Sequence, residues 1–175
     1  MKNLALPLAL ALLLTGCINT SKSNVPLKVI DKAPEFQIRN VRGGDPLTSK
    51  DFKGKVVVVD FWATWCVPCK AEIPNYNKLR EKMKGKDVEF LGVTFESGST
   101  IEGVQPYLEE LGIEYPVGMG SDAIDVGFGG HRGYPTTYLV GKDWKVYRQM
   151  FGSSGKKMTM LEKDINDLLA RSASD

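Results

Sequence analysis

The chain has 175 residues, of which 42% are hydrophobic and 25% are charged, and its formal net charge is +2. This length suits one domain with a sizeable core and a short appendage. The charge is close to zero and the sequence has no Lys/Arg cluster interleaved with aromatic residues, so nucleic acid is not expected as a partner.

The first residues of the chain have the pattern of an export signal. Lys2 places a positive charge ahead of an apolar run over residues 4–14, which is shorter than the roughly 20 residues that span a bilayer. The small residues Thr15 and Gly16 end this run, and Cys17 follows them directly. We therefore predict a signal peptide over residues 1–16.

Residues 14–17, with the sequence Leu-Thr-Gly-Cys, resemble the lipobox of bacterial lipoproteins. In such proteins the cysteine becomes the new N-terminus and carries acyl chains, which together anchor a protein stably to a membrane. The resemblance implies that Cys17 is lipidated and that residues 17–30 form a flexible tether. It places the remaining domain, residues 31–175, on the periplasmic or extracytoplasmic side of the bacterial cell envelope. An ordinary cleaved signal with an incidental cysteine, or a short buried helix, is the alternative.

Strand and helix patterns alternate along the rest of the chain. Alternating polarity over residues 35–39 and turn residues at 42–46 predict a small N-terminal β-hairpin. Residues 56–62 form a β-branched run, which is typical of a central strand covered on both faces. Further strands are predicted at 88–95, 136–140 and 145–151, and helices at 66–84, 99–111 and 156–171.

The Gly-rich residues 115–133 are predicted to be irregular. The order of the other elements predicts an α/β domain, with a central mixed β-sheet flanked by helices and an N-terminal β-hairpin extension.

Cys66 and Cys69 lie where the predicted central strand runs directly into a helix. Unpaired N–H groups and the positive end of the helix dipole stabilise a thiolate at such a position. Their spacing on a first helical turn puts the Cα atoms roughly 5–6 Å apart, which is compatible with a disulfide. We expect Cys66, at the helix tip, to be the exposed nucleophile and Cys69 to be the resolving thiol.

Lipidation of Cys17 would leave Cys66 and Cys69 as the only thiols of an exported domain. The pair could then bond only to each other or to a partner, which indicates a redox site. A structural zinc site needs four ligands, and the chain offers one histidine and no second cysteine pair. A structural disulfide without turnover is the remaining alternative. No metal and no cofactor other than the disulfide is expected.

Two separate segments resemble the thioredoxin superfamily, and within it the TlpA/ResA-like envelope oxidoreductases. Residues 59–70, which contain Trp65-Cys66-Val67-Pro68-Cys69, match the active-site strand and helix start of the superfamily. Residues 133–140 are similar to its cis-proline segment, and residues 33–36 and 52–55 to its N-terminal hairpin and strand entry. The resemblance covers about residues 30–170 and implies a thioredoxin-like fold and thiol–disulfide oxidoreductase activity.

The same resemblance implies roles for residues around the cysteine pair. It makes the Tyr134–Pro135 bond cis and packs this loop beside the disulfide. The side chains that would border the substrate groove are Trp65, Val67, Pro68 and Tyr134. Read alone, Pro135 could equally begin an edge strand. Trp62 is expected in the core and Trp65 at the rim.

Two carboxylates are candidates for accepting the proton of Cys69. Asp60 ends a run of valines and stands at the position of the superfamily's buried proton-handling acid. Glu72 follows Cys69 on the same predicted helix and matches a glutamate of the ResA-like subgroup. Burial would raise the pKa of either group. The alternative for Glu72 is a solvated first-turn acid, and the sequence does not choose between the two carboxylates.

His131, the single histidine, lies near the proline segment and is interpreted as an exposed loop residue in preference to a groove residue. The favoured function is a membrane-tethered dithiol reductase of protein disulfides, kept reduced by a membrane electron-donor protein. By resemblance its substrates include apocytochrome c. An oxidase or isomerase, a thiol peroxidase and a non-catalytic module with a permanent disulfide are the alternatives.

Overall fold

The computed structural model describes residues 31–98 and 100–171. The predicted signal peptide, the predicted lipidation site Cys17 and the predicted tether lie outside these residues. Among the residues that are described, no helix is long and apolar enough to cross a membrane.

Eight strands occur in the described part of the chain. They are β1 (Asp31–Lys32), β2 (Gln37–Ile38), β3 (Leu47–Thr48), β4 (Val56–Trp62), β5 (Val88–Thr94), β6 (Val117–Met119), β7 (Thr136–Val140) and β8 (Lys145–Phe151). Six of them form one sheet in the order β1-β8-β7-β4-β5-β6, while β2 and β3 pair separately as an antiparallel hairpin. Strand β4 runs parallel to β5 and antiparallel to β7, so the predicted mixed sheet and N-terminal hairpin are confirmed.

Four α-helices lie between and after these strands. They are α1 (Val67–Lys82), α2 (Ile101–Glu110), α3 (Asp122–Gly127) and α4 (Lys157–Arg171). Helix α1 follows β4 after a short loop, and Cys66 is the N-cap residue that precedes its first residue, Val67. Sequence and topology together therefore give the predicted thioredoxin-like α/β fold.

The two sides of β4 build two separate cores because successive side chains of a strand point to opposite faces. Val58 and Trp62 pack into a cluster with residues of α1, α2 and α4. Val57, Val59 and Phe61 pack into a second cluster on the other face, against the N-terminal hairpin and α3. Trp62 is buried, as predicted.

The expectation of irregular structure over residues 115–133 is wrong. This segment contains β6, which extends the sheet beside β5, and the short helix α3. Strand β6 also receives the N-terminal hairpin, since Val41 donates a backbone hydrogen bond to Val117 (2.9 Å) and Met119 donates one to Arg39 (2.8 Å). Strand β1 was not predicted either; it pairs antiparallel with β8.

Candidate active site

Cys66 and Cys69 form a disulfide at the N-terminus of α1, with a Cα–Cα distance of 5.3 Å. Cys66 is the N-cap residue, and its Sγ accepts a hydrogen bond from the backbone N–H of Cys69 at 3.2 Å. The first turn of the helix contains no acidic side chain. Within the first turn, therefore, no acidic side chain opposes the positive end of the helix dipole at Cys66.

The expectation that Cys66 is exposed is wrong for the disulfide form. Cys66 is 4% exposed and Cys69 is 1% exposed. The N-cap geometry explains this, because the Cys66 sulfur turns inward to the N–H of Cys69 and bonds to the sulfur of that residue. Trp65 and Val67, on either side, are 63% and 76% exposed and form an apolar surface next to the buried pair.

The segment before β7 lies beside this surface. The Tyr134–Pro135 peptide bond is cis, as the resemblance implies. The Tyr134 ring packs edge-on against Trp65, with 5.5 Å between ring centroids, so the proline loop and the cysteine loop meet. Pro135 is buried, and its carbonyl accepts a hydrogen bond from the N–H of Gly152 at 2.8 Å. Pro68 is exposed next to Val67.

Asp60 is buried on the face of β4 that looks toward α1. Its Oδ1 accepts hydrogen bonds from the hydroxyls of Tyr76 on α1 (3.0 Å) and Thr137 on β7 (2.8 Å). Burial raises the pKa of Asp60 to about 6, although the charge of Lys157 and these two hydroxyls act in the opposite direction. A carboxyl with this pKa is ionised at neutral pH and can still exchange a proton there.

Glu72 is buried as well, so the alternative of a solvated acid is wrong. Its Oε2 lies 2.7 Å from Nζ of Lys157, the first residue of α4, and the two side chains are 4% and 2% exposed. Lys157 Nζ also donates to the carbonyl of Gly152 at 3.2 Å. Sequence reasoning missed Lys157, because nothing local distinguishes it from the exposed Lys156 beside it.

The interpretation of His131 as an exposed loop residue is also wrong. Its ring stacks on Tyr134, with centroids 4.4 Å apart, and contacts Phe95 at 5.2 Å. Asp125 on α3 lies 2.6 Å from His131 Nδ1 and accepts a hydrogen bond from its backbone N–H at 2.9 Å. His131 therefore supports the outer side of Tyr134, at the edge of the groove.

One further contact fixes the loop that precedes Cys66. The carboxylate of Glu96 accepts hydrogen bonds from the backbone N–H of Thr64 at 2.6 Å and from its hydroxyl at 2.9 Å. Glu96 also accepts from the hydroxyl of Thr94, at the end of β5, at 2.8 Å. An acid just after a strand gives no distinctive sequence signal, so this anchor was not predicted.

Within residues 31–98 and 100–171, no cluster of three or more His, Cys, Asp or Glu side chains could hold a metal ion. The chemistry that the described residues support is exchange at the Cys66–Cys69 disulfide. An attacking thiolate would be favoured by the helix terminus. Two buried carboxylates belong to the same part of the fold: Glu72 lies on α1, three residues after Cys69, and Asp60 lies on β4.

Comparison with known proteins agrees with this geometry. The family model described as AhpC/TSA family matches residues 29–149. The thiol-disulfide oxidoreductase ResA of Bacillus anthracis is 33% identical over 131 residues, covering 75% of this chain and 74% of the relative. The thioredoxin-like protein YneN of Bacillus subtilis is 28% identical over 147 residues, covering 83% of this chain and 85% of the relative.

A solved structure is similar over most of its length. It is the crystal structure of a thiol:disulfide interchange protein, a thioredoxin family protein, from Chlorobium tepidum TLS. The two chains superpose with a TM-score of 0.68 and are 28% identical, over 79% of this chain and 95% of the other.

Proposed function

This chain belongs to the AhpC/TSA family of thioredoxin-like proteins and is a thiol–disulfide oxidoreductase, and we propose that it works as a lipid-anchored dithiol reductase of protein disulfides in the cell envelope. Cys66 is the nucleophile and Cys69 the resolving thiol. The electron source is a membrane protein that returns the pair to the dithiol form.

The observation that carries the reducing direction is the charge balance behind the cysteine pair. Among the residues that the structure describes, Lys157 is the one lysine that is buried, and it faces two buried carboxylates, Asp60 and Glu72. An excess of negative charge does not stabilise thiolates, whereas strong oxidants of this fold depend on a stabilised reduced form. The excess of negative charge therefore favours a reducing cysteine pair, which donates electrons to its substrate.

The reaction proceeds by two exchanges. The Cys66 thiolate attacks a substrate disulfide, forming a mixed disulfide and releasing one substrate thiolate. Cys69 then loses its proton and attacks Cys66 Sγ, which releases the second substrate thiolate and closes the Cys66–Cys69 disulfide. Two electrons pass from the dithiol to the substrate disulfide, and the proton of Cys69 passes to a buried carboxylate.

The surface around the pair suits a polypeptide substrate. Trp65 and Val67 are exposed apolar side chains, and Tyr134 extends the same surface. Exported proteins with cysteine pairs that must be reduced, apocytochrome c among them, are the proposed substrates. The lipid anchor rests on the lipobox-like residues 14–17 and places the domain near a membrane electron donor.

A thiol peroxidase is disfavoured. That activity needs a Pro-X-X-X-Thr-X-X-Cys pattern. In this chain Val59 replaces the proline and Ala63 replaces the threonine before Cys66, so the pattern is absent. An oxidase or isomerase of folding proteins uses the same two cysteines and differs only in redox potential.

The equilibrium reduction potential of the Cys66–Cys69 pair separates these directions. We expect a value near or below that of thioredoxin, about −270 mV, when the chain is equilibrated against glutathione and thioredoxin couples. A value near about −120 mV, the range of the oxidant DsbA, would make the protein an oxidase of folding substrates. Failure of Cys66 to react with an alkylating agent after mild reduction would instead support a permanent structural disulfide.

The lipid anchor has its own test. In a bacterial host the full chain should partition into the detergent phase, and a Cys17→Ser variant should move to the aqueous phase. Mass spectrometry of the wild-type N-terminal peptide should show an acylated Cys17. An unmodified Cys17, or equal partitioning of the two proteins, would remove the anchor from the proposal.

A further inference from the structure

Lys157 is a buried charge that the reaction as described does not use. It begins α4, its side chain is 2% exposed, and its neighbour Lys156 is exposed. Burying an ammonium group is costly unless the group is paired and hydrogen-bonded. Lys157 meets this condition through Glu72 at 2.7 Å and the Gly152 carbonyl at 3.2 Å, so the fold holds it in one place.

This ion pair lies against the hydrogen-bonded group that contains Asp60. Lys157 Nζ sits 5.7 Å from the centre of the Tyr76 ring, and the Tyr76 hydroxyl contacts Asp60 at 3.0 Å. Glu72 and Tyr76 are one turn apart on α1. The ammonium, the two carboxylates and the phenol therefore form one buried polar cluster between α4, α1 and β4.

The titratable groups that act on Asp60 come from every side of this cluster. Lys157 on α4 lowers its pKa and Glu72 on α1 raises it. The pKa of Tyr76, and that of Tyr115 before β6, are raised well above the usual value, chiefly by burial, so both phenols stay neutral in the physiological range. Lys157 lowers the pKa of Asp60 by more than Glu72 raises it.

We propose that Lys157 is a positioning residue of the resolving step: it holds Glu72 as an ion-paired carboxylate and thereby leaves Asp60 as the group that takes the proton of Cys69. This inference rests on the proposed dithiol chemistry. The Glu72 carboxylate is already engaged by a buried ammonium at 2.7 Å, whereas the hydrogen-bond partners of the Asp60 carboxylate are the hydroxyls of Tyr76 and Thr137.

The proton balance of the step is then complete. The Cys69 thiol gives its proton to the Asp60 carboxylate, and its sulfur attacks Cys66 Sγ in the mixed disulfide. The new Cys66–Cys69 bond forms as the bond between Cys66 and the substrate sulfur breaks, and the substrate leaves as a thiolate. The proton of Asp60 is later lost to solvent or to that thiolate.

The resolving step can be followed directly in a Cys17→Ser background, where Cys66 and Cys69 are the only thiols. The reduced full chain is mixed with an aromatic disulfide that releases a coloured thiolate. Attack by Cys66 releases one equivalent at a rate that depends on reagent concentration. Attack by Cys69 on the mixed disulfide releases the second equivalent of thiolate, at a rate that does not depend on reagent concentration. The pH dependence of this second rate reports the group that accepts the proton of Cys69.

Removing the charge of Lys157 and removing the charge of Glu72 should shift the inflection of this pH profile in opposite directions. In wild type we expect an inflection near pH 6, the pKa of Asp60. Lys157→Met should shift it upward, because the charge of Lys157 lowers the pKa of Asp60; roughly one pH unit is the order of magnitude for removing one nearby charge at an effective dielectric constant of about 20. Glu72→Gln should shift it downward, because it removes the negative charge that raises the pKa of Asp60, while Lys157 stays in place through the Gly152 carbonyl.

Matched variants separate this effect from a general disturbance of the fold. Lys156→Met removes an exposed charge next to Lys157 and should leave the profile unchanged, and Lys157→Arg should restore the wild-type inflection. If Lys157→Met does not fold, the double variant Lys157→Met/Glu72→Gln replaces both charges with neutral groups, and its inflection should still lie above that of wild type.

Three outcomes would overturn the inference: an unshifted profile in Lys157→Met, shifts of the same sign in the two single variants, or an inflection that survives Asp60→Asn and disappears in Glu72→Gln. A wild-type chain that releases no second equivalent would instead contradict the proposed dithiol function itself. The two failures are therefore distinguishable.

Discussion

Asp60 shows how one residue links the sequence to the chemistry. The valine run before it predicts a strand covered on both faces, so an acid in that strand has to be buried. The structure buries it and gives it two hydroxyl donors, Tyr76 and Thr137. Burial is the largest influence on its pKa, which is raised to about 6.

This pKa predicts how stability depends on pH. The folded chain holds the Asp60 proton up to about pH 6, whereas the free carboxyl ionises near 3.8. The folded state therefore binds more protons between these values, and the free energy of unfolding falls as pH rises through this window. The shift corresponds to about 3 kcal/mol.

An Asp60→Asn variant should lack this loss while keeping the Oδ1 acceptor. Relative to wild type, we expect its free energy of unfolding to rise by about 2–3 kcal/mol between pH 4 and pH 7. Urea denaturation of both proteins at several pH values measures the difference. A difference that does not change with pH would contradict the raised pKa.

The pairing of Glu72 with Lys157 was beyond sequence reasoning. The two residues are 85 positions apart, and other charged residues lie close to each of them in the sequence. The sequence therefore does not show which charges pair. Only the packing of α4 on α1 distinguishes Lys157 from Lys156. Asp60 was placed correctly because the signal for its burial lies in its own strand.

Among the elements, those with long uniform patterns were predictable and the short ones were not. Strands β4, β5, β7 and β8 and helices α1 and α4 follow their hydrophobic patterns closely. Strand β6 has 3 residues and α3 has 6, and both are too short to show a clear hydrophobic periodicity. Their structure depends on contacts with β5 and the N-terminal hairpin.

Gly120 illustrates such a contact. It follows β6, donates a backbone hydrogen bond to Thr94 at 2.7 Å, and leaves no room for a side chain. A Cβ atom at Gly120 would lie 2.7 Å from two carbons of the Phe95 ring. Phe95 in turn stacks on Tyr134, with 5.8 Å between ring centroids, so the close approach supports the groove edge.

We expect Gly120→Ala to lower the free energy of unfolding by roughly 1–3 kcal/mol, because the Phe95 ring must move in a packed cluster. Chemical denaturation at neutral pH measures this. The matched control is Gly155→Ala, where a Cβ would meet no atom within 4 Å; a change within about 0.5 kcal/mol is expected there. Equal effects of the two substitutions would contradict the packing account.

At the scale of the whole molecule, the fold brings three distant segments to one end of α1. The loop after β4 supplies Cys66, the loop before β7 supplies Pro135, and α4 supplies Lys157, which pairs with Glu72 on α1. The first two were recognised from their motifs, because each motif is a continuous run of residues. The third comes from tertiary packing alone.

The central claim is that Cys66 attacks a protein disulfide and Cys69 resolves the product. It is tested most directly by mixing reduced single-cysteine variants, in a Cys17→Ser background, with insulin as a protein disulfide and measuring adducts by mass spectrometry. We expect Cys69→Ala to accumulate a mixed disulfide at Cys66, and Cys66→Ala to form much less. Adduct formation mainly at Cys69, or none with either variant while the intact pair reduces insulin, would contradict the account.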